Sequence, residues 1–202
     1  MSTDLPRLHQ SVSSRTPREP QPRVAVITLH TSPLDQPGTG DSGGMNVYIA
    51  EVAERLAEQG IAADIYTRRH DPVAPHVESI GPTTKLIRVE AGPAEPVAKE
   101  ELPSHLPQFL DGVIAHASAD AGPEPHRHAP YDVVHSHYWL SGWVGSRAKE
   151  IWGAPHVASF HTLGKVKNDV LADGDPPEPP VRLAGEQSVV RGADRIIAPT
   201  PV

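Results

Sequence analysis

The sequence predicts an α/β fold, a Rossmann-like parallel sheet with helices on both of its faces. Short apolar runs with the character of buried strands alternate with segments whose apolar residues recur at helical spacing. A helix between two strands returns the chain to the edge where it started, so such strands lie parallel and need cover on both faces. Polar residues gather where the strands end, which is where sheets of this kind bind ligands.

Composition narrows the functional classes. The chain has 202 residues, of which 38% are hydrophobic; this length allows one or two domains and suffices for one packed core. A net charge of −7 argues against a broad basic face for nucleic acid, and the absence of cysteine excludes disulfides and thiolate metal sites. No apolar run approaches the roughly 18 residues that a membrane span requires.

The N-terminal segment, residues 1–22, is rich in serine, proline and arginine and contains no hydrophobic stretch. Such a segment does not have the pattern of a signal peptide, and we expect it to be a disordered tail. With no cysteine, no membrane span and no targeting pattern, the chain is expected to be cytoplasmic. Residues 23–202 are then expected to form the folded domain.

The first folded unit is a strand, a glycine-rich loop and a helix. Residues 24–27 form an apolar strand, and the helix runs from Gly43 and Gly44 to Gln59, with Gly60 in the position that closes a helix. One face of this helix is predicted to point inward, and it consists of Met45, Ile49, Val52, Ala53 and Leu56.

The start of this helix is a candidate anion site. Free N–H groups and about half a positive charge at a helix N-terminus favour a phosphate or a carboxylate. Gly43 and Gly44 lack a Cβ, so a ligand can approach the backbone there. The spacing alone leaves an ordinary flexible loop equally open, because prolines and glycines are common in loops. The pattern is interpreted as neither a P-loop, since no Gly-Lys-Ser/Thr follows, nor the dinucleotide-binding fingerprint G-x-G-x-x-G before a helix.

Two more strands and a helix follow along the first half of the chain. After a strand at residues 61–67, residues 68–84 hold three prolines without periodicity and are predicted to be a loop. A strand at 85–90 leads through a polar loop at 91–103 into a helix at 104–117. The inward residues of that helix are Leu106, Leu110, Val113 and Ile114.

The second half continues the alternation after a loop at residues 118–130. Apolar runs and helical spacing predict strands at 131–137, 155–160 and 195–198, and helices at 138–152 and 181–191. Residues 161–180 are polar and rich in proline, and we predict a long loop there.

Polar side chains that follow the predicted strands should meet at one edge of the sheet. They are His30, Lys99, His137, Tyr138, His161 and Thr162. Arg182 lies in the first turn of its helix, where its charge opposes the helix dipole, and this favours a functional role. Lys99, Arg182 and Lys165 would together suit a phosphorylated substrate. Each of them alone is more often a solvated surface charge.

The pair His135 and His137 raises the alternative of a metal site. Residues i and i+2 of a strand face the same side, so two imidazoles could bind Zn²⁺ with a further ligand such as His161. Hydrogen bonding at a strand end is the better interpretation, because no recognised ligand pattern accompanies the pair. Ser136 is not in a G-x-S-x-G turn, which argues against a nucleophilic serine.

Three segments together resemble one enzyme family. They read RVAVITLHTSPLDQPGTGDSGGMNVY at residues 23–48, YDVVHSHYWLSG at 131–142 and FHTLGKVKN at 160–168. The chain is similar to the retaining glycosyltransferases of family 4, whose GT-B fold has two Rossmann-like domains. GDSGGMNVY is the most specific piece. The resemblance covers the N-terminal acceptor domain, from about residue 23 to residue 200, and leaves out the C-terminal donor domain.

The resemblance implies roles for individual residues. Acceptor contacts are implied at His30, Asp41, Ser42, Gly43, Gly44, Met45 and Asn46, and the acceptor phosphate would be held by Lys99, Tyr138, Thr162 and Arg182. Donor contacts are implied at Gln36, Pro37 and Gly44. His161 would be the catalytic residue, lying near the transferred sugar to stabilise or orient it. No metal ligand is implied in this chain.

The implied reaction is transfer of N-acetylglucosamine from UDP-N-acetylglucosamine to 1D-myo-inositol 3-phosphate with retention, the first step of mycothiol biosynthesis. The resemblance implies no cofactor in this domain, with Mg²⁺ and a homodimer as expectations for the full-length enzyme. We expect this chain alone to bind the acceptor without catalysis. A family 4 enzyme with a different acceptor, and a non-catalytic sugar-phosphate-binding module, remain alternatives. The sequence departs from the family in a longer loop at 118–130 and an acidic, proline-rich stretch at 173–180.

Overall fold

The computed structural model describes residues 21–36, 38, 43–120 and 129–199. Seven strands form one sheet in the order β3-β4-β2-β1-β5-β6-β7, and every pairing is parallel except that of β3 with β4. The strands are β1 Arg23–Ile27, β2 Ala62–Arg68, β3 Val77–Ser79, β4 Thr84–Val89, β5 Val133–His137, β6 His156–Ser159 and β7 Arg195–Ile197. Nearly all of the predicted tail lies outside the described residues.

Five α-helices connect the strands within the described ranges. They are α1 Gly44–Glu58, α2 Leu106–Asp120, α3 Tyr138–Trp152, α4 Gly164–Asp169 and α5 Pro180–Gly192, with a 3-10 turn at Leu102–His105 ahead of α2. None of the helices in this part of the chain is long and apolar enough to cross a membrane. Gly60 has a φ of 75°, a left-handed conformation that suits glycine, and its N–H bonds to the Ala57 carbonyl just after α1 ends.

The core lies on both faces of the sheet because side chains alternate along each strand. On β1, Ala25 and Ile27 pack into a large cluster with α2, α3 and α5, whereas Val26 packs on the opposite face with α1. Ile49 and Ala53, two of the residues predicted to face inward from α1, are buried there. The predicted Rossmann-like sheet with helices on both faces is therefore confirmed.

Two short elements correct the sequence prediction. The predicted loop at 68–84 contains β3, which pairs antiparallel with β4 at the sheet edge, so the sheet is mixed rather than wholly parallel. The predicted loop at 161–180 contains α4. Neither element shows a periodic pattern of apolar residues, because β3 has three residues and α4 six, and each is largely exposed.

The strand order marks one place where a ligand crevice should lie. Without the antiparallel β3, the order β4-β2-β1-β5-β6-β7 is that of a Rossmann fold. The chain proceeds outward from β1 to β2 and β4, then returns to the other side of β1 to form β5. Ile27 at the end of β1 pairs with Ser136 on β5, so the loops that follow these two strands diverge from neighbouring points. Crevices of this kind bind ligands.

Candidate functional site

A cleft of about 570 Å³ opens where the sequence predicted the polar residues to converge. Each of the parallel strands β1, β4, β5, β6 and β7 is followed by at least one residue of its lining. The lining residues are His30, Gly43, Gly44, Met45, Tyr48, Lys99, Tyr138, His161, Thr162, Lys167, Arg182 and Pro199. Nine of these twelve are residues that the sequence analysis selected, so the fold brings most of the predicted set together.

The N-terminus of α1 forms one side of the cleft. Gly43 precedes the helix and has no side chain to cap it, and its N–H donates a long hydrogen bond of 3.5 Å to Asn46 Oδ1. A Cβ added at Gly43 or at Gly44 would meet no atom within 4 Å among these residues, so packing does not require either glycine. Both glycines line the cleft, and the helix start therefore presents backbone to it. This is the arrangement that an anion at a helix N-terminus requires.

Tyr138 lies in the cleft at the junction of β5 and α3. Its φ of 72° makes it the one non-glycine residue with a positive φ in the described ranges. Such a conformation is strained for a bulky residue and persists only where the surroundings enforce it. The Lys99 ammonium is 5.5 Å and the Arg182 guanidinium 5.0 Å from the Tyr138 ring centroid, and the His30 ring centroid is 4.7 Å away. Tyr138 thus gathers two cations at one place.

Arg182 is almost fully buried and sits in a hydrogen-bonded network. Its Nε donates to Glu186 Oε1 at 2.8 Å, and its NH1 forms an ion pair with Glu178 Oε2 at 2.8 Å. NH2 donates to Thr162 Oγ1 at 3.0 Å. Glu178 also accepts a hydrogen bond from Lys167, and this bond, together with a second from Arg182, holds the pKa of Glu178 below its usual range. Lys167 and Arg182 therefore share the Glu178 carboxylate.

Glu186 anchors this network to the backbone. Its carboxylate accepts hydrogen bonds from the Gly164 N–H, with N···O distances of 3.0 Å and 2.9 Å. Glu186 is 5% exposed and Arg182 is 5% exposed, so the pair lies inside the protein. A buried ion pair costs much desolvation and is stable only with such additional hydrogen bonds.

His161 lines the cleft beside a fully buried histidine. His137 Nδ1 lies 3.1 Å from His161 Nε2, and the two rings lie edge to edge, with centroids 5.4 Å apart and planes inclined by 28°. The ring of Tyr48 packs edge-on against both, at 5.9 Å from His137 and 5.1 Å from His161. Burial lowers the pKa of both histidines, most strongly that of His137. Both rings are therefore neutral at physiological pH.

The His135 and His137 pair faces one side of β5, as predicted, with ring centroids 4.3 Å apart. His135 Nε2 bonds to Ser159 Oγ at 2.8 Å, and burial lowers the pKa of His135 to about 4. Ser136 is fully buried on the other face, where its Oγ lies 2.7 Å from His156 Nε2. Within the described ranges, no group of three or more His, Asp or Glu is placed to hold a metal. These contacts give the strand-end histidines structural partners.

Three predicted contact residues within the described ranges, Asn46, Gln36 and Lys165, lie outside the cleft lining. Asn46 is buried, and its Nδ2 donates to Thr31 Oγ1 at 2.5 Å and to the Ser32 carbonyl. Asn46 therefore ties the first turn of α1 to the loop after β1. Gln36 is exposed on that loop. The predicted residues Pro37, Asp41 and Ser42 lie outside the described residues.

Three lining residues were not predicted. Tyr48 lies four residues after Gly44, so helical spacing places it on the cleft side of α1, and this signal was available in the sequence. Lys167 belongs to α4, which was predicted to be loop, and its partner Glu178 belongs to the same predicted loop. Pro199 follows β7 and carries no chemical signal of its own.

Comparison with known families agrees with this geometry. Residues 43–202 match the model of the glycosyl transferase 4-like domain. The chain belongs to this family. The match takes in the α1 N-terminus, Lys99, Tyr138, His161, Thr162 and Arg182, which is most of the cleft.

Curated relatives of this glycosyl transferase 4-like chain share about half of its residues. It is 54% identical over 179 residues to D-inositol 3-phosphate glycosyltransferase of Streptosporangium roseum, covering 89% of this chain and 40% of the relative. It is 53% identical over 186 residues to the protein of the same name from Streptomyces scabiei, covering 92% and 40%. The chain thus spans about 40% of the length of the curated relatives it matches.

Solved structures support the fold assignment. Sucrose-phosphate synthase from Thermosynechococcus elongatus matches with a TM-score of 0.76 and 30% identity, covering 87% of this chain and 41% of that one. UGT2 of Phytolacca americana, complexed with UDP-2fluoro-glucose and pterostilbene, matches with a TM-score of 0.53 and 14% identity, covering 90% and 48%. The second likeness shows the fold alone. The glycosyl transferase 4-like domain here is therefore one Rossmann-like half of a GT-B architecture.

Proposed function

We propose that residues 23–202 form the acceptor-binding domain of a retaining, UDP-sugar-dependent glycosyltransferase. The reaction is transfer of N-acetylglucosamine from UDP-N-acetylglucosamine to 1D-myo-inositol 3-phosphate. The observation that carries the proposal is the cleft at the Rossmann switch point, which Lys99, Lys167 and Arg182 line together with the N-terminal glycines of α1. The name shared by the curated relatives, D-inositol 3-phosphate glycosyltransferase, supports the choice of acceptor.

The acceptor phosphate is assigned to the side of the cleft around Tyr138. Lys99, Tyr138, Thr162 and Arg182 all line it, and Lys167 adds a third cation that the resemblance did not include. Cations and hydroxyl groups together offer a phosphate charge-assisted hydrogen bonds, which are stronger than neutral ones. Glu178 already bridges Lys167 and Arg182. A phosphate carries more negative charge than this carboxylate and competes with it for both cations.

The donor diphosphate is assigned to the opposite side, at the start of α1. The unobstructed backbone at Gly43 and Gly44 supports this assignment. Gln36 and Pro37 remain proposed contacts to the UDP-sugar. His30 and Met45, which line the cleft, and Asp41, Ser42 and Asn46 remain proposed contacts to the acceptor inositol phosphate.

In the proposed reaction, the acceptor hydroxyl attacks the anomeric carbon from the face on which UDP leaves. A bond forms between the acceptor oxygen and the anomeric carbon, and the bond from that carbon to the diphosphate oxygen breaks. The electron pair stays on the diphosphate, which also takes the hydroxyl proton. No enzyme nucleophile takes part, so this domain contributes positioning and electrostatic stabilisation. The α1 N-terminus stabilises the growing diphosphate charge, and His161 orients the transferred sugar.

Mg²⁺ has no assigned role in this domain. Among the described residues, no three His, Asp or Glu side chains come together in a metal-binding group. Mg²⁺ and a homodimer remain predictions for a full-length enzyme.

A second candidate is a family 4 glycosyltransferase that takes a different phosphorylated acceptor. The 30% identity to sucrose-phosphate synthase favours it, because the name of that enzyme also points to a sugar phosphate. The cation cluster would serve any such acceptor equally well. A non-catalytic sugar-phosphate-binding module uses the same cleft without a donor.

Turnover by a version of the protein that includes a donor domain tests these alternatives. The protein is incubated with UDP-N-acetylglucosamine and, in parallel, inositol 3-phosphate, myo-inositol, glucose 6-phosphate or fructose 6-phosphate. We expect product only with inositol 3-phosphate, and no product from the 202-residue chain alone. Preference for a hexose phosphate would establish the second candidate, and no transfer to any acceptor would establish the binding module.

A further inference from the structure

His137 and His161 form an imidazole pair in which each ring limits what the other can do. His137 Nδ1 and His161 Nε2 are 3.1 Å apart, a hydrogen-bond distance. Both rings are neutral, because burial lowers both pKa values. One nitrogen must therefore carry the proton and the other must accept it. The direction of this bond decides which nitrogen of His161 remains a donor.

The surroundings of His137 settle that direction. His137 is fully buried, and no atom of the described residues forms a hydrogen bond with its Nε2. A proton on Nε2 would leave a buried N–H without an acceptor, which is rarer and costlier in proteins than an unused acceptor. The proton of His137 is thus on Nδ1, and Nδ1–H donates to His161 Nε2. His161 must then carry its own proton on Nδ1.

We propose that His137 is a positioning residue that fixes His161 in the Nδ1–H tautomer. Because its Nε2 lone pair is occupied by His137, the ring of His161 can offer a ligand only an N–H donor. His161 therefore hydrogen-bonds an oxygen of the bound sugar and does not remove a proton from it. The identity of that sugar rests on the proposed function, whereas the tautomer does not.

The groups that face the pair come from β5, from α1 and from the loop after β1. His135 lies next to His137 on β5, His30 follows β1, and Tyr48 packs from α1 against both rings. His161 itself follows β6. The charged cleft residues Lys99 and Arg182 lie against Tyr138, the residue after His137. The cationic and imidazole neighbours disfavour any positive charge on the pair.

Nitrogen NMR of the 202-residue chain, labelled with ¹⁵N-histidine, reads the tautomer directly. Two-bond correlations between ring protons and nitrogens distinguish a protonated nitrogen from an unprotonated one. At pH 7 we expect His161 Nδ1 to be protonated in about tenfold excess over Nε2, equivalent to about 1.4 kcal/mol. A protonated Nε2, or an even mixture of the two forms, would overturn the proposal. The readout needs no donor domain and no activity, so it stands apart from the test of the proposed function.

Two substitutions at His137 separate tautomer control from mere packing. In His137→Asn the amide can take the place of Nδ1–H, so the Nδ1–H form of His161 should persist. In His137→Leu the donor is lost, and His161 should shift to a mixture of forms. Loss of the Nδ1–H form in the asparagine variant, or its retention in the leucine variant, would contradict the proposal. If the leucine variant does not fold, the wild-type and asparagine spectra still decide.

His135→Gln is the matched control. His135 lies on the same strand and the same face, and it is nearly as buried, but it bonds to Ser159 through Nε2, which a glutamine amide can replace. The tautomer of His161 should not change in this variant. A change as large as that in His137→Leu would mean that general disturbance of β5, and not His137, sets the tautomer.

Discussion

The guanidinium of Arg182 lies over the ring of Tyr138, with Cζ 5.0 Å from the ring centroid. The ring is held in this place by a backbone with a φ of 72°, an unfavourable conformation for tyrosine. On another part of the same ring lies Lys99. A cation–π contact is worth about 0.5–2 kcal/mol, depending on exposure, so Tyr138 helps to keep two cations close together without neutralising either.

Tyr138→Phe separates the ring from the hydroxyl. The ring, its cation–π contacts and the strained backbone are all retained, so the free energy of unfolding should change by less than about 1 kcal/mol. Loss of the hydroxyl removes one hydrogen bond to the acceptor phosphate, and the affinity for inositol 3-phosphate should fall about fivefold. Calorimetric titration of both proteins measures this. An unchanged affinity would show that the hydroxyl does not contact the acceptor.

Lys167→Ala tests the cation that sequence reasoning missed, and Lys165→Ala is its control. Both lysines are exposed on α4, but of these two only Lys167 lines the cleft. A charge-assisted hydrogen bond to phosphate is worth about 1.5–3 kcal/mol, so Lys167→Ala should weaken inositol 3-phosphate binding about tenfold. Lys165→Ala should leave it within about twofold. Equal effects of the two substitutions would indicate a general charge effect and no specific contact.

Glu178→Gln should strengthen phosphate binding. In the ligand-free protein this carboxylate pairs with Lys167 and Arg182, and the phosphate must compete with it for both cations. Removing its charge while keeping its shape should raise the affinity for inositol 3-phosphate roughly three- to tenfold, with a smaller gain at high salt because screening weakens the competition. A lower affinity would mean that Glu178 orients the two cations for the ligand.

Glu186→Gln should act on stability. Glu186 is buried, bonds to Arg182 and accepts the Gly164 N–H, and its substitution leaves the Arg182 charge with fewer buried partners. Breaking a buried pair of this kind typically costs about 3–5 kcal/mol, and the remaining Glu178 partner should reduce the loss to about 2–3 kcal/mol. Urea denaturation measures the change. A loss of unfolding free energy below about 1 kcal/mol would show that the charge of Glu186 adds little stability beyond that of a neutral glutamine of the same shape.

Acid should destabilise the protein through buried histidines. Burial lowers the pKa of His135 and His156 to about 4, from an ordinary value of 6.5. As the pH falls below about 6.5, the unfolded chain takes up protons before the folded one does, so stability is complete above that pH and is lost towards pH 4. Each histidine should contribute on the order of 3 kcal/mol to this loss.

Urea midpoints at pH 7, 5.5 and 4.5 measure this dependence. The variant His135→Gln/His156→Gln keeps amide donors in place of the bonded Nε2 atoms but cannot be protonated. Its stability should fall much less over the same range. If the urea midpoint of the variant falls with pH as steeply as that of the wild type, then other groups cause the loss of stability in acid.

The sheet was predictable because its parallel strands are buried on both faces and therefore read as apolar runs. Val24 to Ile27 is such a run, and the helix after it shows clear periodicity. Strand β3 was not predictable, since three largely exposed residues, Val77–Ser79, carry no such signal and owe their conformation to pairing with β4.

The site was predictable to the extent that strand ends point to one edge of the sheet. His30, Tyr138 and His161 follow three different strands, and the fold brings them together. Residues 38–43 read GTGDSG and do fit the G-x-G-x-x-G pattern ahead of a helix, so the exclusion of that pattern was wrong and the candidate anion site at α1 had a stronger signal than its glycine pair alone.

The charge pairing was partly within reach of the sequence. Glu178 and Glu186 lie four residues before and after Arg182, the spacing at which side chains on a helix meet. The burial of Arg182 depends on how α5 packs beside α4. Glu178 lies in the acidic, proline-rich stretch at 173–180, to which the sequence analysis assigned no role. Its pairing with Lys167 follows from tertiary packing, which local periodicity does not encode.

The most direct test of the account is the calorimetric titration of the 202-residue chain with inositol 3-phosphate and with myo-inositol, in the wild type and in Lys99→Ala. Lys99 suits this substitution because it lines the cleft over the Tyr138 ring, whereas Arg182 belongs to a buried ion-pair network whose loss would also affect stability. We predict that the phosphorylated ligand binds the wild type at least about tenfold more tightly than myo-inositol, and that Lys99→Ala removes most of this preference. Equal binding of the two ligands by the wild type would contradict the assignment of the cleft to a phosphorylated acceptor.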